Sequence, residues 1–141
     1  LPNVIFVMAD DIGYGDLGCY GATRIKTPAI DELAKQGVRF NQAYAPAASS
    51  SPSRYALLTG TYAWREGVSI LPANARLSID EDTYTLPKMF KDAGYTTGIV
   101  GKWHLGLGSK DGEVDFNAPV EHGPLSIGFD YAYYLSKIIK W

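Results

Sequence analysis

Apolar residues fall in short runs separated by glycines and polar clusters, and their spacing changes from run to run. Asn3 to Met8 is almost wholly apolar and rich in β-branched residues. Without polar alternation it predicts a strand buried on both faces, as in a parallel sheet. Gly13, Gly15, Gly18 and Gly21 then break the chain into loop. Thr27-Pro28 predicts a helix start, with Thr27 as N-cap and Pro28 at the first helical position; Ile30, Leu33 and Ala34 form the apolar stripe, and Gly37 ends it. Val38 to Ala45 alternates and predicts a second strand. Pro52 to Leu58 predicts a helix closed by Gly60, and Thr61 to Asp82 has no clear period. Thr85 to Ala93 carries Leu86, Met89, Phe90 and Ala93 at helical spacing and stops at Gly94. Tyr95 to Val100 predicts a third strand, Leu105 to Ser126 a loop, and Phe129 to Tyr134 a further strand. Alternating strands and helices point to an α/β fold, a largely parallel sheet with flanking helices.

Composition narrows the functions open to such a fold. Over 141 residues, 13 Lys and Arg face 15 Asp and Glu, a net charge of −2. That balance makes no electrostatic case for nucleic acid or an anionic membrane. No run approaches the roughly 18 apolar residues of a membrane-spanning helix. Cys19 is the single cysteine, so no internal disulfide framework exists. The chain opens almost directly on a strand, as a secreted protein does after signal removal and as a cytosolic protein also can.

Candidate chemistry gathers after three predicted strands, at the end of a parallel sheet where ligands bind. Asp10-Asp11 follows the first. Adjacent carboxylates repel unless donors or a cation hold them, so the pair suits either a loop start capping backbone amides or a hard divalent metal. Ser50 to Arg54 (S-S-P-S-R) sits where a strand hands over to a helix. A hydroxyl there is an exposed nucleophile and Arg54, one turn on, can fork onto an oxyanion; equally, the segment is an ordinary Ser/Pro turn with a surface arginine. Lys102 and His104 follow the third strand at i and i+2, the same side of an extended segment. Together they offer charge neutralisation and proton transfer to an anionic leaving group; alone, they read as a solvated lysine and a packed histidine. His122 receives no role.

Ser50-Ser51-Pro52-Ser53-Arg54 through Leu58-Thr59-Gly60 resembles the first signature of the type I sulfatases, the formylglycine-dependent arylsulfatase-like branch of the alkaline phosphatase superfamily. Asn3-Val4-Ile5 with Asp10-Asp11-Ile12-Gly13-Tyr14-Gly15-Asp16-Leu17 is similar to the family's first strand and metal loop. Gly98 to Gly106 is similar to its second signature. The likeness runs from about residue 2 to about residue 131. It implies that residues 1–141 are the N-terminal portion of a sulfatase catalytic domain, and that further metal ligands and another His and Lys come from later in the chain. The activity implied is sulfuric ester hydrolysis on a sulfated small molecule or glycan; a phosphate or phosphonate ester hydrolase and a non-catalytic relative that binds sulfated glycan or metal are the alternatives.

The resemblance also implies roles. Ser50 is converted to formylglycine by a maturation enzyme, radical-based in the Ser-type bacterial members. One hydroxyl of the aldehyde hydrate attacks sulfur and expels the alcohol; the other drives loss of sulfate. Asp10, Asp11 and the modified Ser50 hold a calcium ion. Arg54 holds the hydrate and the metal-side carboxylates, Lys102 binds sulfate, and His104 orients the hydrate or assists its second step. Tyr62 to Ala75 and Lys110 to Pro124 are candidate pocket walls, with Trp64 and Trp103 candidates to stack on a sugar; Trp103 reads equally as packing inside its motif. A periplasmic or secreted protein is expected. An isolated piece of a larger sheet exposes an apolar edge, so the chain is also expected to be marginally stable or to oligomerise.

Overall fold

Two parallel strands, β1 (Gly98–Lys102) and β2 (Tyr131–Leu135), run side by side with Gly98 opposite Tyr131 and Lys102 opposite Leu135. They belong to a computed structural model that describes residues 1–108 and 114–136. Residues 109–113 of the expected 105–126 loop, Lys110 of the second candidate pocket wall among them, and the chain from 137 on lie outside the described residues. The chain is α/β, with a parallel sheet and helices, and it divides into two units, Leu1–Tyr44 and Ala45–Trp141. No helix among the described residues is long and apolar enough to cross a membrane.

The register of the pair is set just before each strand begins. The Thr97 N–H donates to Asp130 Oδ2 (2.8 Å), and Asp130 N–H and Tyr131 N–H donate back to Thr97 O (3.0 and 3.1 Å). Lys91 Nζ lies 2.8 Å from Asp130 Oδ1. That bond first, and the Thr97 N–H second, hold the Asp130 carboxyl below the usual carboxylate range.

Three helices accompany the strands. α1 (Pro28–Gln36) belongs to the first unit; α2 (Ser50–Thr59) and α3 (Leu86–Asp92) belong to the second. α2 begins two residues earlier than the pattern predicts, so Ser50 is its first helical residue, and it ends at Gly60, whose φ of 69° suits a residue without Cβ. α3 starts after Thr85, whose buried hydroxyl donates not to the helix but to Ile127 O at 2.6 Å.

The core of Ala45–Trp141 is built mostly from segments the pattern assigns to loop. Ile79, Trp103, Leu105, Leu107 and Ile127 are buried together with Tyr55, Leu58 and Ala63. Residues 105–108 lie along 75–78: Ser78 N–H donates to Leu105 O, and Leu107 N–H to Ala75 O. Gly106 makes this approach possible, because a Cβ there would lie 1.7 Å from Arg76 O. Trp103 is buried, with its indole N–H donating to Gly106 O at 2.6 Å, so it packs the core and offers no face to a sugar.

Leu1–Tyr44 departs further from the pattern. Asn3 to Met8 and Val38 to Ala45 were expected as strands; neither is one. Ile5 and Val7 are 89% and 83% exposed. A strand is held by ladder bonds to neighbours, and among the described residues neither segment has a ladder partner. Order here is local and polar. Thr27 stands at the N-cap position of α1, but its hydroxyl makes no cap: it donates to Asp31 Oδ1 (2.9 Å) and accepts from Gly18 N–H (2.8 Å), while Cys19 N–H donates to Asp31 Oδ1 (2.7 Å). These bonds tie the short 3₁₀ turn Gly18–Tyr20 to the first turn of α1.

Candidate functional site

Ser50, Arg54, Lys102 and His104 lie in Ala45–Trp141; Asp10 and Asp11 lie in Leu1–Tyr44. In the first group the helix does the positioning. Residues i and i+4 share a face, and Arg54 Nε donates to Ser50 Oγ at 2.9 Å. Arg54 Nη1 also donates to Lys102 O at 2.6 Å. One guanidinium therefore joins the first residue of α2 to the last residue of β1, with Arg54 itself 48 positions from Lys102. Its fixed fork makes two directed bonds at once, which a lysine at 54 would not reproduce. A charged donor on a hydroxyl oxygen favours whichever form of that oxygen carries more negative charge.

His104 is not on one side of an extended segment with Lys102, as expected. The strand ends at Lys102, and His104 has φ 53°, in the left-handed region. The turn puts the imidazole inside, where it is 3% exposed. Nε2 lies 3.0 Å from Leu71 O, and Nδ1 is buried with no hydrogen-bond partner. A carbonyl only accepts, so Nε2 carries the hydrogen and Nδ1 presents a lone pair. Sequence reasoning overlooked Leu71, and also Ser51, whose buried Oγ accepts from Leu71 N–H at 3.2 Å. The signal available was slight: a second serine in the first turn of a helix.

Asp10 and Asp11 are exposed, and Asp11 has φ 60°, a left-handed conformation that Asp tolerates better than most residues. Two consecutive carboxylates are hard oxygen donors of the kind calcium takes. No group of three or more His, Cys, Asp or Glu side chains forms a metal site among the described residues. Calcium takes about six to eight oxygens, so the donor chemistry fits and two carboxylates would make up only part of such a shell. His122, given no role from sequence, pairs through Nδ1 with Glu81 Oε1 at 2.6 Å. Hydrogen bonds from Ser126 and then His122 hold the Glu81 carboxyl below its ordinary value.

The arginine-held hydroxyl thus opens a helix, and the same arginine bonds the last carbonyl of a parallel strand. The chain belongs to the sulfatase family: the family model described as Sulfatase matches residues 2–141. It is 56% identical over 133 residues to an N-acetylgalactosamine-6-O-sulfatase of Bacteroides thetaiotaomicron, covering 94% of this chain and 26% of that protein. A solved Bacteroides thetaiotaomicron structure, described under the metabolism of multiple glycosaminoglycans, superimposes with a TM-score of 0.92 at 55% identity, covering 96% of this chain and 28% of that one. A second, Ps i-CgsB in complex with k-i-k-neocarrahexaose, gives a TM-score of 0.73 at 36% identity over 89% of this chain and 26% of its own. The chain thus spans about a quarter of the length of the relatives it matches.

Proposed function

We propose that this chain carries the nucleophile half of a sulfuric ester hydrolase acting on a sulfated carbohydrate. The observation that carries the reading is the Arg54 fork, which binds Ser50 Oγ at 2.9 Å and Lys102 O at 2.6 Å in a chain of the sulfatase family. Ser50 is the residue to be converted to formylglycine, a two-electron oxidation by a maturation enzyme. The hydrated aldehyde supplies a hydroxyl to attack sulfur and a second to release sulfate without a stable ester.

This reading gives the chain's own residues their roles. Arg54 orients the oxygen on residue 50 and neutralises charge there. The Lys102 ammonium binds the sulfate oxygens. The lone pair of His104 Nδ1 accepts a hydroxyl hydrogen. Asp10 and Asp11, with the residue-50 oxygen, are the proposed calcium ligands from this chain, and the metal would offset the sulfate charge. The names of the Bacteroides sulfatase and of the carrageenan oligosaccharide complex favour a glycan substrate. A sulfated polysaccharide is met outside the cytoplasm, in keeping with a periplasmic or secreted protein.

The test is hydrolysis of an aryl sulfate and the matching aryl phosphate by the full-length protein made in its native host. Sulfate release exceeding phosphate release is expected, and Lys102→Ala should cut it by about a hundredfold or more, the scale of losing one charge-stabilising donor. Equal or faster phosphate release would assign the site to phosphate esters.

A further inference from the structure

Two hydrogen bonds meet on the main chain of one residue in Ala45–Trp141. Leu71 N–H donates to Ser51 Oγ at 3.2 Å, and Leu71 O accepts from His104 Nε2 at 3.0 Å. Both end groups are buried: Ser51 is 0% exposed and His104 3%. Residue 71 lies in neither helix nor strand, so no ladder or helical bond fixes its plane. Pro72 follows and keeps Leu71 out of the helical region. Of the side chains, Ser51 is the one that holds the Leu71 N–H, and because Pro72 narrows the ψ of Leu71, anchoring that N–H limits where the carbonyl of the next peptide can point.

The choice of tautomer matters because His104 Nδ1 is buried without a partner. With the hydrogen on Nε2, Nδ1 is a bare lone pair. With the hydrogen on Nδ1, the ring would bury a donor with no acceptor and leave the Leu71 carbonyl unpaired, two penalties of the kind buried polar groups avoid.

We propose that Ser51 is a positioning residue for His104: its buried hydroxyl anchors the main chain at the Leu71 N–H, and the Leu71 carbonyl held in place beyond it fixes the imidazole as the Nε2–H tautomer and leaves Nδ1 as the acceptor. The role of Nδ1 in turnover rests on the sulfatase reading above; the tautomer does not. Ser51 therefore acts through the Leu71 main chain and the ring. Without its hydroxyl, the Leu71 N–H loses this anchor, the backbone at Leu71 is free to turn, and the carbonyl no longer selects one ring nitrogen.

Nitrogen-15 NMR of histidine-labelled chain tests this. The sequence has two histidines, so His122→Ala assigns the spectrum. His104 is expected to show a pyrrole-like Nε2 and a pyridine-like Nδ1. Ser51→Ala should populate the opposite tautomer and raise hydrogen exchange at the Leu71 amide. Ser51→Thr keeps the hydroxyl and should keep the wild-type spectrum. Leu71→Ala keeps both main-chain groups and should do the same. In the full-length enzyme, Ser51→Ala should lower kcat by about tenfold with KM within about twofold, a modest share of what a proton-transferring group contributes. A wild-type His104 with its hydrogen on Nδ1 would overturn the proposal whether or not the variants fold. So would Ser51→Ala with an unchanged tautomer. The predicted tautomer change in a protein that cleaves no sulfate ester would uphold the relay while removing the sulfatase reading.

Discussion

Leu1–Tyr44 and Ala45–Trp141 each end an apolar run in candidate catalytic side chains, yet they are ordered by different means. In Ala45–Trp141 the residues that precede and follow the site are core. Trp103, Leu105 and Leu107 are buried around His104, and the Arg54 fork closes on the end of β1. In Leu1–Tyr44 none of the residues is buried, and its order comes from exposed or half-buried contacts, among them Thr27 and Asp31 on a 3₁₀ turn, Tyr20 Oη donating to Phe40 O, and the Tyr14–Tyr20 ring pair. The candidate residues of Ala45–Trp141 therefore rest on packing, and those of Leu1–Tyr44 on a few polar bonds. Geometry held by packed side chains is costly to disturb; geometry held by exposed polar bonds opens readily.

The largest break in this contrast should come from Gly106→Ala. Its φ is 79°, and the new Cβ would meet the Arg76 carbonyl at 1.7 Å, so the 105–108 segment must leave 75–78. Urea unfolding monitored at Trp103 is expected to show the loss of the cooperative transition; a wild-type midpoint would contradict the packing described for this segment. Leu105→Ala, at a fully buried position, should cost about 2–5 kcal/mol by the same measurement.

A smaller, pH-dependent effect is expected at the start of the sheet. The folded Asp130 carboxyl titrates below its unfolded value because Lys91 and Thr97 favour the charged form. Its contribution is therefore present above the unfolded value, about pH 4, and is lost as pH falls through the lower folded value. Thermal melts should show Asp130→Asn below wild type at pH 7, with the gap closing as pH falls below that range. A gap that persists in acid would mean that the carboxylate charge is not what holds the register. Ile5→Thr, in the exposed run of Leu1–Tyr44, should shift stability by no more than about 0.5 kcal/mol. A larger loss would show that the run is buried in solution and would erase the contrast between the two units.

The contrast also explains what could be read from sequence. The helices were legible because proline and glycine punctuate them: Pro28 and Gly37 around α1, Gly60 after α2. β1 and β2 were found near their true positions, displaced by a few residues, because boundaries depend on the Thr97–Asp130 bonds and these join residues 33 apart. The runs at Asn3 and Val38 failed as strands because alternation and β-branching describe a side chain's preference, while a strand exists only with a partner. The burial of 105–107 was missed because Gly106 and Gly108 read as loop, although glycine at 106 permits a close backbone approach. Within the site, the Ser50–Arg54 bond was legible from helical spacing. The Arg54–Lys102 and Ser51–Leu71–His104 bonds were not, since each crosses 20 or more positions with no local signal.

The central claim is that Ser50 is the site of a formylglycine whose position Arg54 fixes. Mass spectrometry of the tryptic peptide ending at Arg54, from full-length protein made in its native host, tests it most directly. The account predicts a species lighter by two hydrogens, with fragment ions placing the change at residue 50 and an aldehyde reagent capturing it. Unmodified serine at position 50, in protein that releases no sulfate from an aryl sulfate, would contradict it.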